Sequence, residues 1–157
     1  MPLILTDDEI AQLIAEPKPL PAEFRMRILP KRKRGHKERE MEIQGESGHR
    51  FRLIARESSF NPIDFSIILG YVLPGSNIIF RLRRYNGRSH EHTNKIERET
   101  FYAFHIHFAT ARYQETGFSE DAYAEITDRY SDFLSALECI INDCAFRIPP
   151  EPQMSLL

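Results

Sequence analysis

The fold is decided by one stretch of the sequence, Phe65-Ser66-Ile67-Ile68-Leu69-Gly70-Tyr71-Val72. Its side chains are almost continuously apolar, which predicts a central strand of a sheet. A turn signal follows at residues 74–77, and from Phe80 onwards apolar residues alternate with basic ones. This alternation is typical of a half-buried strand. The stretch therefore predicts two consecutive strands joined by a short turn.

The same period-two alternation extends from Phe24 to Phe108. It predicts strands around Phe24, Met41 and Phe51, with a hairpin turn at residues 45–48, and a last strand over residues 101–108. About five or six strands joined by short turns favour an antiparallel meander.

Helices are predicted at both ends of the chain. Thr6 and Glu9 fit a capping box, and Pro17 ends the helix that follows. Apolar spacings of three and four over residues 130–144 predict a longer amphipathic helix, and residues 119–121 are expected to cap a short one. The prediction is an α+β fold: an antiparallel meander sheet with the N- and C-terminal helices packed on one face. Residues 1–148 would form the single domain and residues 149–157 a loose C-terminal tail.

The charge is unevenly distributed, although the net charge is only −2. Residues 25–112 contain 18 basic and 9 acidic residues, whereas both ends of the chain are acidic. A basic middle between acidic ends indicates a nucleic-acid partner. The alternative is that acidic helices cover a basic sheet, so that the charges compensate within one chain.

The composition also bears on location and on the classes of enzyme. No apolar run is long enough to cross a bilayer, the first residues lack the features of a signal peptide, and Cys139 and Cys144 are expected to be reduced thiols. We therefore expect a cytoplasmic protein without a membrane partner. The sequence contains no phosphate-binding loop, dinucleotide fingerprint, Cys-x-x-Cys pair or esterase elbow, which disfavours those classes.

Four of the six histidines form two His-x-His pairs, His90 with His92 and His105 with His107. Residues two apart on a strand share a face, so His105 and His107 should project together, opposite the apolar residues of their strand. All four are candidate ligands for one transition-metal ion. Alternatively they act without a cofactor as base and acid in phosphodiester cleavage, or occupy a polar surface with no chemical role.

A cluster of arginines precedes the first histidine pair. Alternation predicts Arg81, Arg83 and Tyr85 on the face opposite Phe80 and Leu82. Guanidinium groups beside an aromatic ring suit phosphate contact and base stacking. The alternative with the same sequence pattern is an exposed strand face whose arginines pair with glutamates. The candidate catalytic residues are therefore His90, His92, His105, His107, Arg84 and Tyr85, and the candidate nucleic-acid contacts include Arg81, Arg83 and Arg88.

The densest run of charge consists of Lys31, Arg32, Lys33 and Arg34, directly after Pro30. Adjacent cations need an acidic partner, either phosphate groups or acidic segments of the same protein. Phosphate contacts would hold a nucleic acid without reading its sequence. We assign these four residues to nucleic-acid binding, with a solvated loop as the alternative.

Residues 83–94, 104–107 and 110–114 resemble a family of small uncharacterised bacterial proteins. That family shares an Arg-Arg-Tyr-Asn-Gly-x-Ser-His-x-His-Thr-Asn segment followed by Phe-His-x-His, and implies no activity. More distantly, the order of Tyr85, Asn86 and the two histidine pairs is similar to that in TumE-type toxins of toxin–antitoxin modules. This second resemblance implies a toxin that cleaves RNA and a cognate antitoxin as its partner.

The leading hypothesis is a cytoplasmic bacterial protein that acts on RNA rather than DNA, as a toxin-like ribonuclease. Paired histidines would carry the acid–base chemistry and arginines would stabilise the phosphate charge. One alternative is a non-catalytic nucleic-acid- or protein-binding module, such as an antitoxin or a defence accessory. Another is a histidine-ligated, metal-dependent hydrolase. A homodimer is among the expected assemblies.

Overall fold

The computed structural model describes residues 4–29 and 36–150. The basic run at Lys31, Arg32, Lys33 and Arg34 and most of the predicted tail, residues 151–157, lie outside the described residues. The helices are α1 (Asp7–Ala15), α2 (Phe24–Ile28), α3 (Ala111–Glu115) and α4 (Phe133–Asp143). The strands are β1 (Lys18–Pro19), β2 (His36–Gln44), β3 (Arg50–Ser58), β4 (Phe65–Val72), β5 (Ile79–Asn86), β6 (His92–Asn94), β7 (Glu99–Phe101), β8 (His105–Phe108), β9 (Tyr123–Ile126) and β10 (Phe146–Arg147).

Six strands form the main sheet in the order β2-β3-β4-β5-β8-β9, and every neighbouring pair is antiparallel. The order follows the chain, except that a small hairpin of β6 and β7 is inserted between β5 and β8. The predicted antiparallel meander is therefore confirmed. The apolar stretch from Phe65 to Val72 is the interior strand β4.

The core lies between one face of this sheet and the helices. The capping box at Thr6 and Glu9 is present, and α1 buries Ile10 and Leu13. Helix α4 buries five side chains, among them Leu137 and Ile140. Full burial of one such aliphatic side chain stabilises the fold by about 1.5–3 kcal/mol. The α+β class with N- and C-terminal helices is as predicted, and no helix in the described residues has the length and apolar character needed to span a membrane.

The prediction of a strand around Phe24 is wrong, because residues 24–28 form the short helix α2. Phe24 and Ile28 are both buried, and residues four apart share a helix face. Met26, which strand alternation would place beside them, is 78% exposed. Over five residues the two periods cannot be told apart from the sequence.

The region after Phe101 also differs from the prediction. The last predicted strand, residues 101–108, is divided between β7 and β8, because Phe101 pairs with His92 in the small hairpin. Residues 119–121 do not cap a helix; they lie in a turn that leads into the edge strand β9. This turn buries Asp121, which is 1% exposed.

The prediction that Arg81, Arg83 and Tyr85 share a face is wrong. The register between β4 and β5 shifts at Leu69 and Gly70, which pair with Arg83 and Arg81. One extra residue of β5 is accommodated there, so the alternation of its side chains changes phase. Arg81 stays on the face that carries the histidines, whereas Arg83 and Tyr85 turn towards the helices, where the Tyr85 hydroxyl donates to Asp143 of α4.

Candidate metal centre

The floor of the site consists of two cross-strand pairs between β5 and β8. Asn86 lies opposite His105, and Arg84 lies opposite His107. As predicted, both imidazoles project from the face opposite Ile106, which packs in the core. His105 is fully buried and His107 is 3% exposed.

The hairpin of β6 and β7 adds a third imidazole above this floor. The ring of His92 stacks on that of His105 at a centroid distance of 5.3 Å and meets that of His107 edge-on at 4.8 Å. One nitrogen of each of the three rings lies within 4.8 Å of a nitrogen of both others. His90 is exposed at the edge of this cluster, with its ring 6.2 Å from that of His105. Of the four predicted ligands, three therefore converge.

Hydrogen bonds fix which nitrogen of the buried rings carries the proton. The Nδ1 atom of His105 donates to the carbonyl oxygen of Ala103, and that of His107 to the carbonyl oxygen of Asp121, each at 2.7 Å. Both Nε2 atoms are consequently left with a lone pair. The amide nitrogen of Asn86 lies 3.4 Å from both, at the long limit for a donor to those lone pairs.

The third ring is held by Asn94, which sequence reasoning did not single out. The Nε2 atom of His92 donates to the side-chain oxygen of Asn94 at 2.8 Å, which leaves the lone pair of His92 on Nδ1. The Asn94 amide also pairs with both backbone groups of Ala124, accepting from its N–H at 2.9 Å and donating to its C=O at 2.7 Å. Asn94 thus has two roles: it attaches the hairpin to the edge strand β9, and it orients the ring of His92.

This donor set fits a divalent transition metal. Three neutral imidazoles with an open fourth position are the pattern of catalytic zinc sites, and ligand histidines commonly donate their other N–H to a carbonyl oxygen. Nitrogens on a tetrahedral zinc ion are about 3.3 Å apart, given Zn–N bonds of about 2.0–2.1 Å. The observed limit of 4.8 Å means that the rings would close by up to about 1.5 Å on binding.

Burial keeps the two floor histidines uncharged. Burial lowers the pKa of His105 to about 4, although its bond to Ala103 opposes this shift. Burial, reinforced by the nearby Arg84 guanidinium, lowers the pKa of His107 to about 2. At neutral pH both rings are neutral and available as ligands. Neither carries the second proton that a histidine general acid gives up.

A guanidinium group lies directly beside the three rings. The Nε atom of Arg84 lies 3.2 Å from the carboxylate of Asp121, which also faces the Nε atom of Arg81 at 3.5 Å. Burial raises the pKa of Asp121, and the two arginines oppose that shift. The Nε atom of Arg84 is buried without a hydrogen-bond partner, so the ion pair with Asp121 is what holds the group. No hydrogen bond to its terminal nitrogens is found among the described residues, so the tip of the guanidinium is free of hydrogen bonds there.

A cavity of about 500 Å³ is lined by residues that include Arg81, Arg84, His92, His107 and Asp121, whereas His105 is not among its lining residues. Its size is within the usual range of small-molecule sites. The cavity therefore gives a substrate access to two of the three histidines and to the guanidinium of Arg84, which is ion-paired with Asp121.

The remaining predicted contacts lie elsewhere or outside the described residues. Arg83 packs over the Phe108 ring at 4.8 Å, on the helix side of the sheet, and Tyr85 is fully buried there. Arg88 is exposed, 5.7 Å from the Phe104 ring. Tyr85 therefore has no access to the cavity.

The basic charge of β3 is compensated by the neighbouring strand rather than by the acidic helices. Glutamates of β2 face arginines of β3, with Arg50 at 2.7 Å from Glu42 and Arg56 at 3.5 Å from Glu38. Exposed pairs of this kind contribute little to stability, about 0–1 kcal/mol each. In the described residues, three arginines of β3 are thus compensated within the sheet rather than by acidic helices.

No known family, curated protein or solved structure matches this chain.

Proposed function

We propose that this protein is a transition-metal-dependent hydrolase that cleaves phosphodiesters at the centre formed by His92, His105 and His107. The observation that carries the proposal is the convergence of three imidazoles whose outer N–H groups are all engaged by carbonyl oxygens. An imidazole serving only as buried packing would not need a nitrogen within 4.8 Å of a nitrogen of each of two other imidazoles.

The chemistry follows from the two functional parts of the cavity. A metal ion on the three nitrogens would lower the pKa of a bound water to about 7 and supply hydroxide to attack phosphorus. The new P–O bond forms as the bond to the leaving oxygen breaks. The free tip of Arg84 is placed to stabilise the added negative charge. His90, exposed at the cavity edge, is the candidate donor of the proton that the leaving oxygen takes up.

The low pKa values of His105 and His107 support ligand roles over the acid–base roles that the sequence predicts for them. The guanidinium of Arg84, whose terminal nitrogens make no hydrogen bond among the described residues, supports an anionic substrate. RNA is the phosphodiester that the sequence predicts. The cytoplasmic location, an antitoxin partner and a homodimer stay predictions.

The test is hydrolysis of bis(p-nitrophenyl) phosphate, a minimal diester that needs no extended binding surface. Wild-type protein loaded with zinc or manganese should release nitrophenol, a chelator should abolish the release, and added metal should restore it. Arg84→Gln should lower kcat/KM about 10- to 100-fold without loss of bound metal. Arg50→Gln, a surface arginine outside the cavity, serves as the control.

Absence of turnover with zinc, manganese, nickel and iron would contradict the proposal. So would turnover that survives the chelator unchanged.

A further inference from the structure

A second cavity adjoins the first on the same face of the sheet. It has a volume of about 630 Å³ and is lined by residues of β2 to β5, including Glu38, Arg56 and Ser66. The two cavities share Arg84, Asn86 and His90. The two cavities therefore adjoin at these residues and are together called the groove; His92 and His107 line the part of it nearer β9.

The groove runs across the strands rather than along them. Its lining extends from Glu38 on the edge strand β2 to Ala122, which immediately precedes the opposite edge strand β9. Six strands spaced about 4.8 Å apart give a length of roughly 24 Å. At about 3.4 Å or more per stacked nucleotide, this length accommodates roughly four to seven nucleotides.

Cations lie on both sides of the histidines. Arg56 is exposed at one end of the groove, which Asp64 and Glu38 also line, with Glu38 3.5 Å from Arg56. Arg84 lies in the middle, and Lys95 is exposed in the part nearer β9. Phe118 lines the Lys95 end with 36% of its surface exposed, and the ammonium group of Lys95 lies 5.4 Å from its ring. A backbone-tracking row of cations combined with an exposed ring is the arrangement that binds single strands, whose bases are free to stack.

We propose that the groove binds a single-stranded polynucleotide across the sheet, with an internal phosphate held over the three histidines. Arg56 and Lys95 contact flanking phosphates and Phe118 stacks against a base. The inference rests on the proposed phosphodiester chemistry and adds to it the substrate class: a chain that continues beyond the reacting phosphate on both sides. Cleavage is then internal, because the bound chain continues past the reacting phosphate in both directions.

The test measures binding as a function of length. Fluorescently labelled single-stranded uridine oligomers of two, four and eight nucleotides are titrated against the full chain, with a chelator present so that no cleavage occurs. Affinity should rise at least about tenfold from the dimer to the octamer. Arg56→Gln and Lys95→Gln should each lose most of that gain. The matched control Arg50→Gln removes an arginine of the same strand and face as Arg56, also paired with a glutamate of β2 but outside the groove, and should keep the gain.

Three results would overturn the proposed binding in the groove. They are an affinity that does not depend on oligomer length, an equal loss of the length-dependent gain in Arg50→Gln and Arg56→Gln, and equally tight binding of an eight-base-pair duplex. Hydrolysis of bis(p-nitrophenyl) phosphate is measured in parallel on the wild type. Turnover of that small diester without length-dependent binding rejects the groove alone. Length-dependent binding without any turnover rejects the hydrolase and leaves the groove standing.

Discussion

The imidazole of His107 is held by Asp121, whose backbone carbonyl oxygen accepts a 2.7 Å hydrogen bond from Nδ1. The side chain of the same aspartate lies 3.2 Å from Nε of Arg84. One residue in the turn before β9 thus fixes a metal ligand through its backbone and the anion-binding guanidinium through its carboxylate. Because different atoms do the two tasks, substitution can separate them.

Asp121→Asn should impair substrate binding while leaving metal binding intact. The backbone carbonyl that orients His107 is retained, but Arg84 and Arg81 lose the carboxylate between them. We expect an increase in KM for bis(p-nitrophenyl) phosphate of about tenfold, an unchanged metal content, and a free energy of unfolding lower by about 3 kcal/mol. Steady-state kinetics and metal analysis check this, with the exposed Asp128→Asn as control. Loss of metal with normal KM would refute the division of roles.

Asn94→Ala should weaken both the fold and the metal centre. The substitution leaves the N–H and C=O of Ala124 without their partner and frees the ring of His92. We expect the free energy of unfolding to fall by about 2–4 kcal/mol and zinc affinity to fall about 10- to 100-fold. Urea denaturation and competition with a zinc indicator measure these effects. Asn77→Ala, in an exposed turn, is the control, and zinc affinity equal to wild type would show that His92 does not depend on Asn94.

The metal-free protein should lose stability between pH 7 and pH 5. His105 and His107 have folded pKa values of about 4 and about 2, below the roughly 6.5 of an unfolded histidine. The unfolded chain therefore binds more protons below about pH 6.5, and the free energy of unfolding falls as the pH falls. At pH 5 each of the two histidines lowers the free energy of unfolding by at most about 2 kcal/mol relative to pH 7.

Urea denaturation at pH 7, 6 and 5 with a chelator present measures this slope. The variant His105→Gln cannot titrate at that position, so its free energy of unfolding should fall about half as much between pH 7 and pH 5. A wild-type stability that is flat over this interval would mean that the two imidazoles protonate freely in the folded chain.

The sequence predicts the floor of the site well. Period-two alternation on one strand is a local rule, and it correctly places His105 and His107 together, opposite the core residue Ile106. The same rule fails for Arg83 and Tyr85, because the register shift at Leu69 depends on how two strands fit each other. The sequence of β5 alone does not indicate where its pairing with β4 changes register.

The upper part of the site depends on contacts distant in the chain. Asn94 and Ala124 are thirty positions apart, and an asparagine that closes a strand edge looks in sequence like any loop asparagine. The sequence predicts a helix cap at residues 119–121, because acidic residues after a serine favour caps, whereas the structure buries Asp121 against Arg84. Pairing across the sheet, which only the fold supplies, turns these two residues into parts of the site.

Zinc stoichiometry decides whether the three histidines form a metal centre. Each chain is prepared without chelator, loaded with zinc, freed of excess metal and analysed by mass spectrometry, with circular dichroism to verify folding. The wild type and His90→Ala should retain about one zinc per chain, whereas His92→Ala, His105→Ala and His107→Ala should each retain less than about 0.2. Less than about half an equivalent in the wild type, or a full equivalent in a folded His92→Ala chain, would contradict the centre.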